Sequence, residues 1–195
     1  MSDGEPLTGE PLALDLVNTR PTGPDGHPAD LIDTPRRLAA WLDLEADRLP
    51  GGCTRAAPSA DDLAAVHAVR GHIEATLRAV TEGNAPPPSA LRALTEAQRL
   101  APAVRELAWD GSAVTAAPRR TGPLGVRLAA HLAESAADLL TDPGIGKVRQ
   151  CEAEDCVLLF LPAHPRRRWC SAARCGNRAR VARYYRRHRT SAVNG

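Results

Sequence analysis

Aromatic residues and lysine are scarce in this sequence. Phe, Trp and Tyr make up 3% of the 195 residues, while alanine and leucine abound, which favours an α-rich fold over a β-sandwich. No run of about 18 apolar residues occurs, so we expect no membrane span. The chain starts with MSDGEPLTGEPLALDL, which is acidic and lacks a basic segment followed by an apolar one. We therefore expect no signal peptide and a cytoplasmic protein.

Charge is divided unevenly along the chain. The formal net charge is +2, but the segment from Lys147 onward holds one lysine and eleven arginines against three acidic residues, a net charge of +9. The remainder then carries −7. This asymmetry indicates an acidic body joined to a basic module that binds nucleic acid or a membrane surface.

The body, residues 1–144, is predicted to be a mostly helical α+β domain. Thr34 before Pro35 is typical of a helix start, and Ser59 with Asp62 has the spacing of a capping box. The run PLALDLVNT, residues 11–19, fits either a short helix or a buried strand.

Two more features complete the predicted body. Asp110-Gly111 stands between two short apolar runs and predicts a β-hairpin. A last helix is indicated by one apolar stripe that consists of Leu124, Leu128, Leu132 and Leu139.

Four of the five cysteines form two close pairs, CEAEDC and CSAARC. In a cytosolic protein, paired cysteines indicate metal ligands before disulfides. Zn²⁺ in structural sites takes four protein ligands in a tetrahedron. We predict one structural zinc ion on Cys151, Cys156, Cys170 and Cys175. Cys53 stands alone and is interpreted as an ordinary thiol.

The zinc segment is too short to bury much apolar surface, so the metal is expected to supply free energy of folding. Residues 157–162 and 166–170 are predicted to be the two arms of a hairpin between the cysteine pairs. Four aromatic residues are expected to form a small core around the metal: Phe160, Trp169, Tyr184 and Tyr185.

The closing segment from Cys175 is predicted to be an amphipathic helix. At 100° per residue, one narrow sector that would pack on the finger collects Asn177, Val181, Tyr184, Tyr185 and His188. Arginines cover the remaining surface, and guanidinium groups bind phosphate and the guanine edge. The predicted nucleic-acid contacts are Arg166, Arg167, Arg168, Arg174, Arg178, Arg180, Arg183, Arg186 and Arg187. A solvated basic face that docks on the acidic body is the alternative.

The body has few candidate residues for binding a ligand or a metal. Asp15, Asn18 and Thr19 fit a cap and turn, or else line a small-molecule pocket for an effector. His67 and His72 are five residues apart, which is unsuited to two metal ligands on one helical face, and they are interpreted as surface histidines.

The two ends of the chain resemble known families. The tetrapeptide Cys175, Gly176, Asn177, Arg178 resembles the motif that names the CGNR zinc finger. LALDLVNT (residues 12–19) and DTPRRLAAWL (residues 33–42) resemble the ABATE domain, whose family is described as stress-induced transcription regulators. The resemblance implies a treble-clef-like, DNA-binding finger over residues 147–192 with the four cysteines as ligands. The segment FLPAHPRRRW (residues 160–169) departs from relatives, with prolines and His164 in the loop.

Three functions are compatible with these features. The preferred one is a DNA-binding transcription regulator without enzymatic activity. A treble-clef nuclease with His164 as base is the second, although four cysteines leave zinc no open position. A finger that binds RNA or an acidic protein is the third. Because a lone finger reads few base pairs, a homodimer formed through the body is a further expectation.

Overall fold

The computed structural model describes residues 6–23, 26–50 and 57–181. About half of the chain is helical, with a small two-stranded hairpin, so the predicted α+β fold class is confirmed. In chain order the main elements are α1 (Leu12–Val17), α2 (Pro35–Leu44), α3 (Ala60–Thr81), α4 (Pro88–Leu100), β1 (Val104–Trp109), β2 (Val114–Arg119), α5 (Leu124–Thr141), β3 (Arg149–Gln150) and β4 (Leu159–Phe160).

The undecided run near the start of the chain is the short helix α1. All six of its residues are buried, because it contacts α3, α5 and β4. A helix this short has little stability of its own, so packing holds it in place. Burial on every side also explains its apolar pattern, which shows neither a helical nor a strand period.

The predicted helix starts are confirmed. Thr34 accepts a hydrogen bond from the Arg37 N–H with Pro35 in the first turn of α2. Ser59 and Asp62 form a complete capping box at the start of α3. Each cap satisfies backbone N–H groups that a helix start otherwise leaves without a partner.

The core lies among the five helices α1 to α5. The predicted stripe of α5 is buried throughout, and Trp41 of α2 and Ile73 of α3 are both fully enclosed. Apolar side chains removed from water supply most of the stability of such a core. Among the described residues, no helix is long and apolar enough to cross a membrane.

The predicted hairpin is formed by β1 and β2, which pair antiparallel around Asp110-Gly111. Gly111 has a φ of 103°, a left-handed conformation that favours glycine. Every residue of both strands is exposed to solvent. The hairpin therefore projects from the helical body and buries none of its side chains there.

The strand pairing expected in the finger was wrong. β4 pairs antiparallel with β3, so the hairpin encloses the first cysteine pair and does not lie between the two pairs. Residues 166–170 form no strand, although Arg168 accepts a hydrogen bond from the Glu152 N–H at 3.0 Å through its carbonyl. Two-residue strands carry no readable alternation, which is why the sequence pattern pointed to the wrong arms.

The finger and the body share packing. Val148 and Leu159 lie in the large hydrophobic core with the leucines of α1 and α5. The cysteines form a second cluster with Ala153, Leu158 and Phe160. This packing crosses the predicted boundary between domains 1–144 and 147–192. The division into two domains stays a prediction.

Candidate metal centre

The four paired cysteines converge on one point. Their ligand atoms all lie within 4.8 Å of one another, and all four residues are buried. The Sγ–Sγ distances are 3.9 Å from Cys156 to Cys170, 3.5 Å from Cys170 to Cys175 and 3.7 Å from Cys175 to Cys156. A tetrahedron with Zn–S bonds of about 2.3 Å has edges of about 3.8 Å, so the sulfurs fit zinc.

The backbone around the first pair brings its sulfurs together. Asp155 has a φ of 60°, a left-handed conformation that aspartate tolerates better than most residues, and it turns the chain into Cys156. β3 and β4 close the other side, where the Cys151 N–H bonds the Leu158 carbonyl at 2.9 Å. The C-x4-C spacing thus forms a compact turn.

In the second pair, Cys175 lies on a π-helical turn, Ala172–Gly176, and Cys170 comes just before it. Ser171 caps it by accepting a hydrogen bond from the Arg174 N–H at 3.3 Å. The Cys170 N–H donates to Cys151 Sγ at 3.3 Å, across the two pairs. Backbone donors aimed at a ligand sulfur stabilise its thiolate, which is the form that binds metal.

The thiols also act on one another. Hydrogen bonds from Cys156, Cys170 and Cys175 lower the pKa of the Cys151 thiol far below its ordinary value. Thiols that stabilise a neighbouring thiolate in this way have the chemistry of a zinc site, because zinc binds the deprotonated form. The four cysteines hold one structural Zn²⁺, as predicted.

The expected aromatic core is present in the described part of the finger. Phe160 is fully buried in the cysteine cluster, and Trp169 packs against the cluster from outside. Tyr184 and Tyr185 lie outside the described residues. Residues 177–181 form the described start of the closing helix, and Val181 is 54% exposed, so this start does not show the expected packing of Val181 on the finger.

Two residues of the CGNR tetrapeptide have structural roles beside the cysteine ligand. At Gly176 a Cβ atom would stand 3.1 Å from Cδ1 of Trp169, so a larger residue would crowd the indole. The Arg178 guanidinium donates to the Glu154 carbonyl at 3.2 Å and contacts Cys175 Sγ at 3.7 Å. Arg178 therefore joins the two cysteine turns, a role that the sequence pattern does not indicate.

Arg167 does not belong to the predicted basic surface. Its guanidinium lies 4.6 Å from the centroid of the Phe160 ring and donates to the carbonyls of Trp169 and Cys170. It also pairs with the Glu10 carboxylate at 2.5 Å. The prediction that Arg167 contacts nucleic acid is corrected: its donors are engaged inside the protein.

The other predicted arginine contacts within the described residues are exposed or half-buried. Arg166 and Arg180 are exposed, and Arg174 is half-buried. Arg168 pairs with Glu152 at 2.5 Å and lies over the Trp169 ring, with 56% of its side chain exposed. Three predicted contacts lie outside the described residues: Arg183, Arg186 and Arg187.

Asn18 connects the body to the finger. Its side-chain amide donates to the Leu159 carbonyl at 2.8 Å, and its oxygen accepts from the Leu159 N–H at 2.9 Å. Asn18 thus pairs with β4 as a neighbouring strand would. Glu10 adds a second link, accepting from the Leu161 N–H at 2.9 Å while it pairs with Arg167.

Asp15 and Thr19 are also engaged inside the body. Thr19 accepts a hydrogen bond from Arg70 at 2.8 Å and donates to the Leu16 carbonyl. Asp15 is fully buried and shares the Arg48 guanidinium with Glu45. Burial raises the pKa of Asp15 to about 7, although Arg48 opposes this.

The effector pocket at Asp15, Asn18 and Thr19 is not supported by these contacts. Asn18 lines a cleft of about 280 Å³ between the body and the finger, together with Arg167 and Ser171. Asp15 and Thr19 do not line it. The pocket stays a prediction, whereas the cap-and-turn interpretation agrees with the hydrogen bonds found.

The histidines of α3 are less exposed than expected. His67 and His72 are both half-buried. His67 Nε2 lies 2.8 Å from the Ile32 carbonyl and 3.8 Å from an oxygen of Asp30. The surface interpretation was wrong for His67, which holds the loop before α2 against α3.

Comparison with protein families accounts for both parts of the chain. A family model described as "Putative stress-induced transcription regulator", ABATE, matches residues 10–143. A CGNR zinc-finger model matches residues 147–188. No curated protein matches the chain. The first model covers more than half of the sequence, so the chain belongs to the ABATE family and carries a CGNR zinc finger after the ABATE region.

Proposed function

We propose that this protein is a DNA-binding transcription regulator whose zinc finger contacts the phosphate backbone through arginines. The observation that carries the proposal is the placement of the basic surface. Arg166 and Arg180 lie toward solvent on a finger whose four cysteines and Arg178 fix the start of the following helix. A rigid scaffold of this kind positions cations for phosphate binding.

The electrostatic division of the chain supports the same function. The finger carries the positive charge and the body the negative charge, so DNA is attracted to one face of the molecule and repelled by the other. Glu10 and Arg167 hold the finger against the body by a direct ion pair. The family description as a transcription regulator agrees with this arrangement.

We also propose that the metal has no catalytic role. The four sulfurs are buried and form a complete tetrahedral set, which leaves no position for water or substrate. His164, the base of the nuclease alternative, is exposed, and its Nδ1 accepts a hydrogen bond from the Arg166 N–H. Plasmid DNA incubated with the zinc-loaded protein and Mg²⁺ should stay uncut; cleavage that His164→Ala abolishes would revive the nuclease.

The test of DNA binding is a salt titration on the full chain. Fluorescence anisotropy with a random-sequence duplex should show affinity that falls steeply as salt rises. The double variant Arg166→Gln, Arg180→Gln should reduce the slope of log K against log salt by about 1.8, because two phosphate contacts are lost. Binding should weaken on all duplex sequences alike.

The matched control is the double variant Arg36→Gln, Arg92→Gln on the body. Both side chains are exposed, and the change in net charge is identical, so a general charge effect would appear in both variants. Equal slopes for the two double variants would remove the finger arginines from the proposal. Stronger competition by RNA or an acidic peptide than by duplex DNA would favour the third function.

A further inference from the structure

The hairpin β1–β2 buries none of its side chains in the body. Its exposed apolar residues include Leu107 at 72%, Trp109 at 66% and Val114 at 68%. An isolated two-stranded hairpin is at best marginally stable in water, because it has no sheet or helix to pack on. This exposed, partly apolar sheet therefore has the character of an interaction surface.

The two edges of the hairpin are not equivalent. Asp110 donates its N–H to the Ala113 carbonyl at 3.1 Å, and antiparallel pairs alternate between hydrogen-bonded and non-hydrogen-bonded rungs. By this alternation the N–H groups of residues 105, 107 and 109 point outward from β1. On β2 the outward positions are residues 114, 116 and 118, and Pro118 has no N–H to donate.

Proline therefore blocks the outer edge of β2, while the outer edge of β1 keeps all of its donors and acceptors. Proteins commonly protect exposed edges with proline or charge. Within the hairpin, proline stands on the outer edge of β2 alone, whereas β1 carries the charged residues Arg105 and Glu106 but no residue that lacks an N–H. The open edge carries a complete row of backbone groups for another strand.

We propose that β1 pairs antiparallel with β1 of a second copy of this chain, forming a four-stranded sheet across a two-fold axis. Pairing centred on Leu107 places Leu107 opposite its copy and Arg105 opposite Trp109 of the other chain. These are an apolar pair and a cation–π pair. Residues 105, 107 and 109 then form three rungs, each of which exchanges two hydrogen bonds.

Competing registers are less favourable. Centring the pair on Glu106 puts two carboxylates opposite each other, and centring it on Arg105 does the same with two guanidinium groups. Shifting the centre to Ala108 sets Glu106 opposite Asp110. The Leu107 register avoids every like-charge pair and forms two Arg105–Trp109 contacts, and this self-compatible edge favours a second copy as the partner.

The contact is confined to the hairpin, so we expect dimers that dissociate on dilution. The wild-type, zinc-loaded chain should approach twice the mass of 20.7 kDa as its concentration rises in analytical ultracentrifugation. A wild-type chain that stays monomeric at every concentration overturns the proposal. DNA is absent from this experiment, so its result is independent of the proposed DNA binding.

Leu107 and Ala116 lie opposite each other in the hairpin and give a matched pair of variants. Leu107→Pro removes an outward N–H from β1, and Ala116→Pro removes one from β2. Neither N–H lies in the bonds between β1 and β2. We expect Leu107→Pro to be monomeric and Ala116→Pro to dimerise; dimers of the first, or monomers of both, overturn the proposal.

A second measurement needs no variant and does not depend on how the proline is tolerated. Amide hydrogen exchange of the wild type should slow at Arg105, Leu107 and Trp109 as protein concentration rises. Exchange at Ala116 should stay fast at all concentrations. Equal protection of Leu107 and Ala116 would mean that association does not use the β1 edge.

Discussion

The body and the finger are stabilised by different means. The body buries all of α1 and the apolar faces of α3 and α5, including Leu14, Ile73 and Leu128, which are fully enclosed. The finger encloses Leu158 and Phe160 around four cysteines. An apolar core stabilises in proportion to its area, whereas a small metal core depends on the ion. The difference predicts which perturbation each part should resist.

Zinc removal is the largest perturbation expected. Structural zinc binds with a free energy of about 10–16 kcal/mol, which is coupled to folding. Chelation, or the variant Cys170→Ser, should abolish hydrogen-exchange protection in residues 148–176 while α3 and α5 stay protected. Cys53→Ser is the control, since Cys53 is not a predicted ligand, and it should keep zinc. Loss of protection throughout the body would show that the two parts fold as one cooperative unit.

Core truncation should have the converse effect. Leu128 is fully buried on α5, and Leu128→Ala should lower the free energy of unfolding by about 3 kcal/mol, because a cavity is left behind. Urea titration followed by circular dichroism measures this loss. Zinc content should stay at one ion per chain. Leu91, which is 42% exposed on α4, is the control, and Leu91→Ala should cost less than about 0.5 kcal/mol.

The predictability of the two parts also differs. Helices α2 and α3 could be predicted because caps and apolar spacing are local signals, as at Thr34 and Ser59. The zinc ligands could be predicted because two close cysteine pairs are typical of a tetrahedral zinc site. The helical state of α1 could not, since a segment buried on all sides loses its periodicity.

Contacts between residues far apart in the chain could not be predicted from the sequence pattern. Arg167 stands in a run of three arginines, and nothing local distinguishes it from Arg166 or Arg168. Its inward orientation depends on Glu10, which is 157 positions away in the chain. Asn18 and Leu159 are 141 positions apart. Residues that join body and finger therefore look like surface residues or turn residues until the fold brings them together.

Asn18 tests how far the body and the finger depend on each other. Asn18→Ala would leave the buried N–H and carbonyl of Leu159 without partners, which should cost about 2 kcal/mol. Exchange at the Leu159 amide should accelerate, and the finger should melt before the body. Asn84→Ala, an exposed site, should change neither quantity. Unaltered unfolding of Asn18→Ala would mean that apolar packing alone joins the two parts.

The smallest effect is expected from Asp15, a buried carboxylate of the body. Its titration should make the free energy of unfolding of the body depend on pH. The pKa of Asp15 is raised by burial from its ordinary value of 3.8 to about 7. A carboxyl with a raised pKa binds more protons in the folded chain than in the unfolded chain, so rising pH favours unfolding. The stabilisation from this proton is lost as pH rises through about 7, and the loss between about pH 6 and pH 8 is on the order of 1 kcal/mol.

Asp15→Asn should remove this part of the pH dependence, because the amide does not titrate. The measurement is urea unfolding of the wild type and the variant at several pH values, with the difference between them taken at each pH. Asp43→Asn, an exposed site on the same helix as Trp41, removes the same charge and should leave the pH dependence unchanged. Since Asp15 lies in α1 and pairs with Arg48, the effect should appear in the body transition. If the difference between wild type and variant instead accompanies the release of zinc, the titrating group lies in the finger. That result would contradict the assignment to Asp15.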